Sequence, residues 1–335
     1  MRGFRGWRAL IGSVLVQLAF TLATPALADD DAGAPMTFGI LPIGGPAESL
    51  EAWRPLIDDL SASLARPVRP LSVSSYEGIA QAIGEQRVDI AFLSGRLALE
   101  AVTRQNMRVI AQLTRGDGSL GYRAVLLTGA DSRIRTLDQM LAHPGQWRYA
   151  RGEALSASGY LVPETQVFAA RGLDSDTFFK SVRVDNHQNN ALAVANGEAD
   201  VATNNSADLE RFQQRFPEPY ARLHVLWISS LIPHAVIVVR RDLPPAWQDR
   251  IAAFITRYGK GKDATRELAN LKRIHDISGF APATDTVLTP FADIEYSLDI
   301  RRASTAQWVS DAARQARMRK LRDAHERLVA YLSGK

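Results

Sequence analysis

Leu155-Ser156-Ala157-Ser158-Gly159-Tyr160-Leu161-Val162-Pro163 joins two segments of different periodicity, and that junction decides the architecture. Before it, Trp147 to Arg151 reads as a strand; behind it, Leu161 to Ala170 reads as a helix ended by Gly172. A strand feeding a helix through a loop of small residues is the repeating unit of α/β folds. The same unit makes an anion cradle. First-turn amides lack intrahelical partners, serine hydroxyls stand beside them, and the positive end of the helix dipole lies behind. The plainer reading of these serines is an ordinary helix cap.

The alternation continues in both directions. Met36 to Ile43 is a short apolar strand entering Gly44-Gly45-Pro46, and Ser49 to Leu64 places Leu50, Trp53, Leu56, Ile57, Leu60 and Leu64 on one helical face. Val68 to Val73 is a strand, followed by a turn through Ser75-Tyr76-Glu77-Gly78 and a helix from Ile79 to Gly84. Val88 to Leu93 is almost wholly apolar, as a strand covered on both faces requires. Leu97 to Arg104 is a helix, while Val109 to Thr114 and Tyr122 to Gly129 are strands. Downstream, Ser181 to Val184 is a strand and Asn190 to Asn196 a helix closed by Gly197. Asp200 to Asn205 is a strand running into polar residues, and Leu223 to Ser229 and Ala235 to Val239 are strands separated by Ile232-Pro233. Trp247 to Tyr258 and Ser304 to Leu332 are helices. The order predicts two sheet-based lobes with the chain crossing between them twice.

The N-terminus sets the expected address. Arg2, Arg5 and Arg8 precede an apolar run from Ala9 to Ala23, and Ala26-Leu27-Ala28 offers small residues to a signal peptidase. Residues 1–28 therefore read as a secretory signal peptide cut after Ala28, the apolar run being short for a membrane span. With no cysteine in the chain, there is no lipid attachment, no disulfide framework, no thiol catalysis and no cysteine zinc site. Export without an anchor points to the periplasm. The net charge of +4 less the three leader arginines leaves +1, which is no nucleic-acid signature.

The mature chain resembles the periplasmic phosphonate-binding proteins of ABC importers, within the phosphate/phosphite/phosphonate-binding family. The resemblance rests on Ser75-Tyr76-Glu77-Gly78, Val88-Asp89-Ile90-Ala91-Phe92, Gly121-Tyr122 and the Ser156 to Pro163 stretch. It continues in His187 with Asn190 to Asn196, in Asp200 to Asn205 and in Leu231-Ile232-Pro233, in family order from about Met36 to Lys260. It implies a two-lobed periplasmic binding protein, type II-like, each lobe a sheet flanked by helices, with a helical C-terminal extension. Lobe one would comprise 36–121 plus 232–289, lobe two 122–231, and the C-terminal helical segment 290–335.

By the same resemblance Tyr76, Tyr122, Ser156, Ala157, Ser158 and His187 line the phosphonate pocket, with no cofactor and no metal. Gly159, Asn204, Asn205, Asp208 and His234 would support them. The chemistry is coherent: hydroxyls, amides and an imidazole N–H donate to the oxygens of a phosphonate head. Packing tyrosines, a capping or core His187 and a turn at Thr203-Asn204-Asn205 are the bland alternatives; His224 and His275 are placed on the surface. Expected partners are a small phosphorus oxyanion or phosphonate and a membrane permease. A sensor subunit loading a receptor is the alternative, and a hydrolase a weaker one, since no HExxH, GxSxG or Asp/His cluster is present.

Two departures bear on the ligand. Relatives that bind aminoalkylphosphonates carry carboxylates for the ammonium group where this chain has Ala207 and Ala235, and a threonine where it has Ala157. Asp208 and His234 stand next to the two vacated positions. A ligand without an amine is expected, because a buried ammonium without a partner is heavily penalised. After Pro290, Trp308, Ala312, Ala316, Leu321 and Leu328 form an apolar stripe expected to serve packing or a homodimer seam.

Overall fold

The computed structural model describes residues 34–334 apart from 44, 117, 118, 120, 275 and 276. The leader, its cleavage site and His275 lie outside the described residues. The first lobe opens with β1 (Met36–Ile40), α1 (Pro46–Leu64), β2 (Val68–Ser72), α2 (Tyr76–Gly84), β3 (Ile90–Leu93), α3 (Gly95–Arg104) and β4 (Met107–Arg115). The chain crosses to β5 (Gly121–Gly129), α4 (Leu137–Leu141) and β6 (Arg148–Arg151), then enters the helix that carries the serines. After it come α5 (Ser175–Phe178), β7 (Ser181–Val184), α6 (His187–Ala195), β8 (Val201–Asn205), α7 (Ser206–Arg215), α8 (Pro217–Ala221) and β9 (Leu223–Pro233). It returns as β10 (Val236–Arg240), α9 (Pro245–Arg257), α10 (Ala264–Arg273), β11 (Ile277–Pro282), α11 (Thr289–Thr305) and α12 (Asp311–Leu332).

Two sheets result, in the orders β11-β4-β10-β3-β1-β2 and β7-β6-β8-β5-β9. Parallel pairing of β1 with β2 and β3 follows from their helical crossovers, while β10 runs antiparallel between β3 and β4. The stripe read on α1 faces inward: Trp53 sits 5.3 Å from the Phe38 ring and 4.7 Å from Phe92. Burying each such side chain contributes about 1.5–3 kcal/mol, which fixes helix to sheet. The chain leaving β1, β3, β6 and β8 opens onto one cleft, so strand ends and helix starts converge there.

The helix behind the serines departs from the expected form. It begins at Ala157, and its first turn is wide: Leu161 N–H donates to Ser156 C=O at 3.1 Å, five residues back. Wide turning continues over Glu164–Phe168, then a tight turn at Ala169–Arg171 ends at Gly172, whose φ of +71° suits glycine. Four other readings change. Helix α2 starts at Tyr76 rather than Ile79, and β9 runs unbroken through Ile232-Pro233. Helix α7 follows β8 directly, hidden in the sequence because only Leu209 and Phe212 are buried among charged residues. The expected single C-terminal helix is two, broken before the Ser310 cap, whose side chain accepts from Ala313 N–H.

That break divides the apolar stripe. Leu321 and Leu332 are buried, whereas Ala312, Ala316 and Trp308 lie toward solvent. Helix α11 likewise buries Phe291, Ala292 and Leu298. Both helices complete the chain's own core, and a homodimer seam through them has no support in this packing. His224 is exposed, as expected.

Candidate functional site

Each part of the cleft is set by a strand end. Ser156 caps the serine helix: its Oγ accepts from Gly159 N–H at 3.0 Å, which leaves the hydroxyl hydrogen free to point elsewhere. The capping reading and the donor reading are thus both compatible with Ser156. The loop is tight because Gly152 N–H donates to Gly159 C=O at 3.0 Å and also meets Thr203 Oγ1 at 3.1 Å. A Cβ on Gly159 would lie 2.7 Å from Ser156 Oγ and 2.8 Å from Gly152 Cα, so only glycine fits. The Ala157 methyl lies in the apolar core, and its backbone alone borders the loop.

Ser158 is the hub. Its Oγ lies 3.2 Å from His187 Nε2 and accepts from Asn205 Nδ2 at 3.4 Å. Asn205 also caps α7, accepting from Asp208 N–H at 2.9 Å while its Nδ2 donates to Asp208 Oδ2 at 2.7 Å. Asn204 Nδ2 donates to His187 C=O at 2.9 Å, and its Oδ1 accepts from Asn205 N–H at 2.8 Å. The turn residues therefore hold the histidine and the serine in place, behind the cleft surface.

The first lobe supplies the opposing wall. Tyr76 and Tyr122 face the serines, and burial pushes both phenols well above their ordinary pKa, offset in part by the Ser156 hydroxyl for Tyr76 and the Ser158 hydroxyl for Tyr122. Both stay protonated donors at any physiological pH. His234 stacks on Tyr122 at 6.1 Å and 11°, with its Nε2 3.3 Å from Ser119 Oγ. Leu41, Phe92, Leu113 and Ala235 close the wall as apolar surface around a cavity of about 80 Å³. Tyr76, Tyr122, Ser156, Ser158, His187, Asn205, Asp208 and His234 all line this cavity. A neighbouring cavity shares Ile43, Tyr76, Ser156 and His187 with it and is lined as well by Ser74, Ser75, Glu153, Asp185 and Asn186.

Several groups at the cleft were missed in the sequence. Glu153 reaches from the serine loop to the other lobe, where it accepts from Tyr76 N–H at 2.9 Å at the start of α2. Arg96 bonds the Ala154 carbonyl, and Arg115 pairs with Glu210 at 2.8 Å. Glu48 of α1 pairs with Arg211 and Arg215 of α7. Charge alone gives no periodic signal, so cross-lobe pairs of this kind were not legible. Ser94 had one: it stands after an apolar strand and before a glycine, as a cap does.

Burial holds the His187 imidazole below its ordinary value of about 6.5, with Asp208 and the Thr203 backbone pulling the other way. The unfolded chain therefore takes up the proton first, so this contribution to stability is whole above about pH 6.5 and is lost as pH falls. The denaturant midpoint of the unliganded protein should drop between about pH 7 and 5, and His187→Gln should flatten that slope. An unchanged slope in the variant would assign the effect to other groups.

Comparison with known proteins gives the family. Residues 38–288 match the family model described as "ABC transporter, phosphonate, periplasmic substrate-binding protein". The chain is 35% identical over 291 residues to the phosphonates-binding periplasmic protein of Escherichia coli, covering 84% of this chain and 83% of that one. A crystal structure of a binding protein component of an ABC phosphonate transporter from Pseudomonas aeruginosa superposes with a TM-score of 0.83 at 30% identity, covering 90% of this chain and 99% of that one. A Prochlorococcus marinus protein in complex with methylphosphonate shares the fold, with a TM-score of 0.68 at 18% identity over 79% of this chain and 98% of that one. The motifs, the two-sheet architecture and these matches converge: the chain belongs to the family of periplasmic phosphonate substrate-binding proteins of ABC transporters.

Proposed function

We propose that this chain captures a small organophosphonate, or phosphite or phosphate, and hands it unchanged to its permease. Residues 36–121 plus 232–289 form one jaw and 122–231 the other, closing by a hinge motion. The observation that carries the reading is the facing of Ser156 and Ser158 by Tyr76 and Tyr122 across the cleft, with the amides of a wide first helical turn behind them. Donors from both walls suit a tetrahedral oxyanion. The relatives' names specify phosphonate, and the alanines at 207 and 235 favour a substituent without an amine.

Ser158 and His187 also have the separation of a nucleophile and base. Capture is favoured over hydrolysis because the relatives are substrate-binding proteins of ABC transporters. Among the described residues no helix is long and apolar enough to cross a membrane.

Calorimetry tests the reading. Ethylphosphonate should saturate one site per chain, and Ser156→Ala should weaken it by about 1.5–3 kcal/mol, the worth of a hydrogen bond to a charged group. 2-Aminoethylphosphonate should compete no better than ethylphosphonate. Absence of saturation with phosphate, phosphite and simple phosphonates would defeat capture. An aminoethyl preference of about tenfold or more would defeat the selectivity.

A further inference from the structure

Three serines of this chain stand at helix starts facing the cleft, and one behaves differently. Ser75 accepts from Gly78 N–H at 2.9 Å and Ser156 from Gly159 N–H at 3.0 Å, each capping its own helix. Ser94, at the start of α3, makes no cap bond. Its hydroxyl is buried without a hydrogen-bond partner, with the residue 7% exposed, yet it lines the same cavity as the serine and tyrosine cluster. A buried hydroxyl without a partner costs about 1–3 kcal/mol, so its persistence calls for a partner that arrives from outside the chain.

The surroundings define that partner. Val236 pairs with Leu93, so the next residues outward, Ala235 and Ser94, stand side by side on neighbouring strands. Ala235 is where aminoalkylphosphonate binders of the resembled family place a carboxylate, and here a methyl stands beside a hydroxyl. The first turn of α3 has no side-chain cap, so it offers backbone N–H groups and a positive dipole end in the same place. The Arg115 guanidinium lines this cavity too. The helix start is firmly seated, since Phe291 fills the space that any side chain at Gly95 would need. Around Ser94 the wall is Phe92 and Ala235, and Asp208, the carboxylate of this cavity, is already held by Asn205 at 2.7 Å, so the donors of the α3 start favour an acceptor there.

We infer that Ser94 and the uncapped first turn of α3 form a subsite for an oxygen-bearing substituent of the bound phosphonate, a hydroxyl or carboxylate oxygen on its carbon chain. The inference rests on the capture reading above and adds the chemistry of the tail. A ligand that brings such an oxygen gives the orphan hydroxyl and the first-turn amides of α3 a common partner, whereas an alkyl tail leaves them unpaired.

The test is titration of the full mature protein with ethylphosphonate, 2-hydroxyethylphosphonate and phosphonoacetate, in wild type and Ser94→Ala. In wild type, at least one oxygenated probe should bind about tenfold more tightly than ethylphosphonate. Ser94→Ala should erase that margin while ethylphosphonate stays within about twofold. Equal affinities for all three probes in wild type overturn the inference whatever the variant does. So does a Ser94→Ala that weakens all three alike. If ethylphosphonate saturates the protein without the margin, this inference alone fails; if none of the probes binds, the capture reading fails with it.

Discussion

Gly159→Ala should reduce phosphonate affinity by about a hundredfold or more while the first lobe stays folded. The added methyl has nowhere to go, because its neighbours are Gly152 Cα at 2.8 Å and Ser156 Oγ at 2.7 Å, and the former is backbone. Relief requires parting the end of β6 from the start of the serine helix, which breaks the Gly152 N–H to Gly159 C=O bond and the Ser156 cap together. Overpacking of this kind costs about 1–3 kcal/mol in stability. The larger loss falls on binding, because the first-turn amides and the Ser156 hydroxyl are displaced as a unit. Two charge-assisted hydrogen bonds at about 1.5–3 kcal/mol each account for the expected factor. Calorimetry with ethylphosphonate and a denaturation curve measure the two effects separately. A variant that binds normally would show that the loop relaxes without moving its donors.

Phe291→Ala should destabilise the protein by about 3–5 kcal/mol, the usual cost of deleting a fully buried aromatic ring. Phe291 has no exposed surface and stands against Gly95 at the start of α3. Its removal leaves a cavity lined by that helix start, which the sheet beneath cannot fill without bending. Chemical denaturation monitored by far-UV dichroism gives the number. A loss below about 1 kcal/mol would mean that α11 is dispensable to the first lobe.

How much of this was legible in the sequence depended on whether a residue's role is local. The apolar runs of β3 and β10 and the Trp53 stripe of α1 announced the sheets and their first helix, since burial imposes period and length. Ser156 was legible because a cap acts on a residue three places along the chain. The polar helix α7 escaped notice despite its Asn205 cap, since two buried side chains make too weak a period. The wide turns at 157–161 and 164–168 were not foreseen, although Pro163 between them, with no N–H to donate, is a local reason for the helix to depart from its regular ladder. The place of Ser94, between an apolar strand and a glycine, is legible as a helix start, but the missing cap bond that sets it apart cannot be read from residue order.

Glu153 and Asp185 line the cavity beside Tyr76, Ser156 and His187, and each is already engaged: Glu153 accepts from Tyr76 N–H at the start of α2, and Asp185 pairs with Arg183 at 3.3 Å. A solute with a second phosphate would bring its extra charge against these carboxylates, where the amide that could have received it is taken. Compact phosphorus compounds with a single charged head should therefore outcompete pyrophosphate and nucleotides for the site, and displacement of ethylphosphonate by each measures the difference.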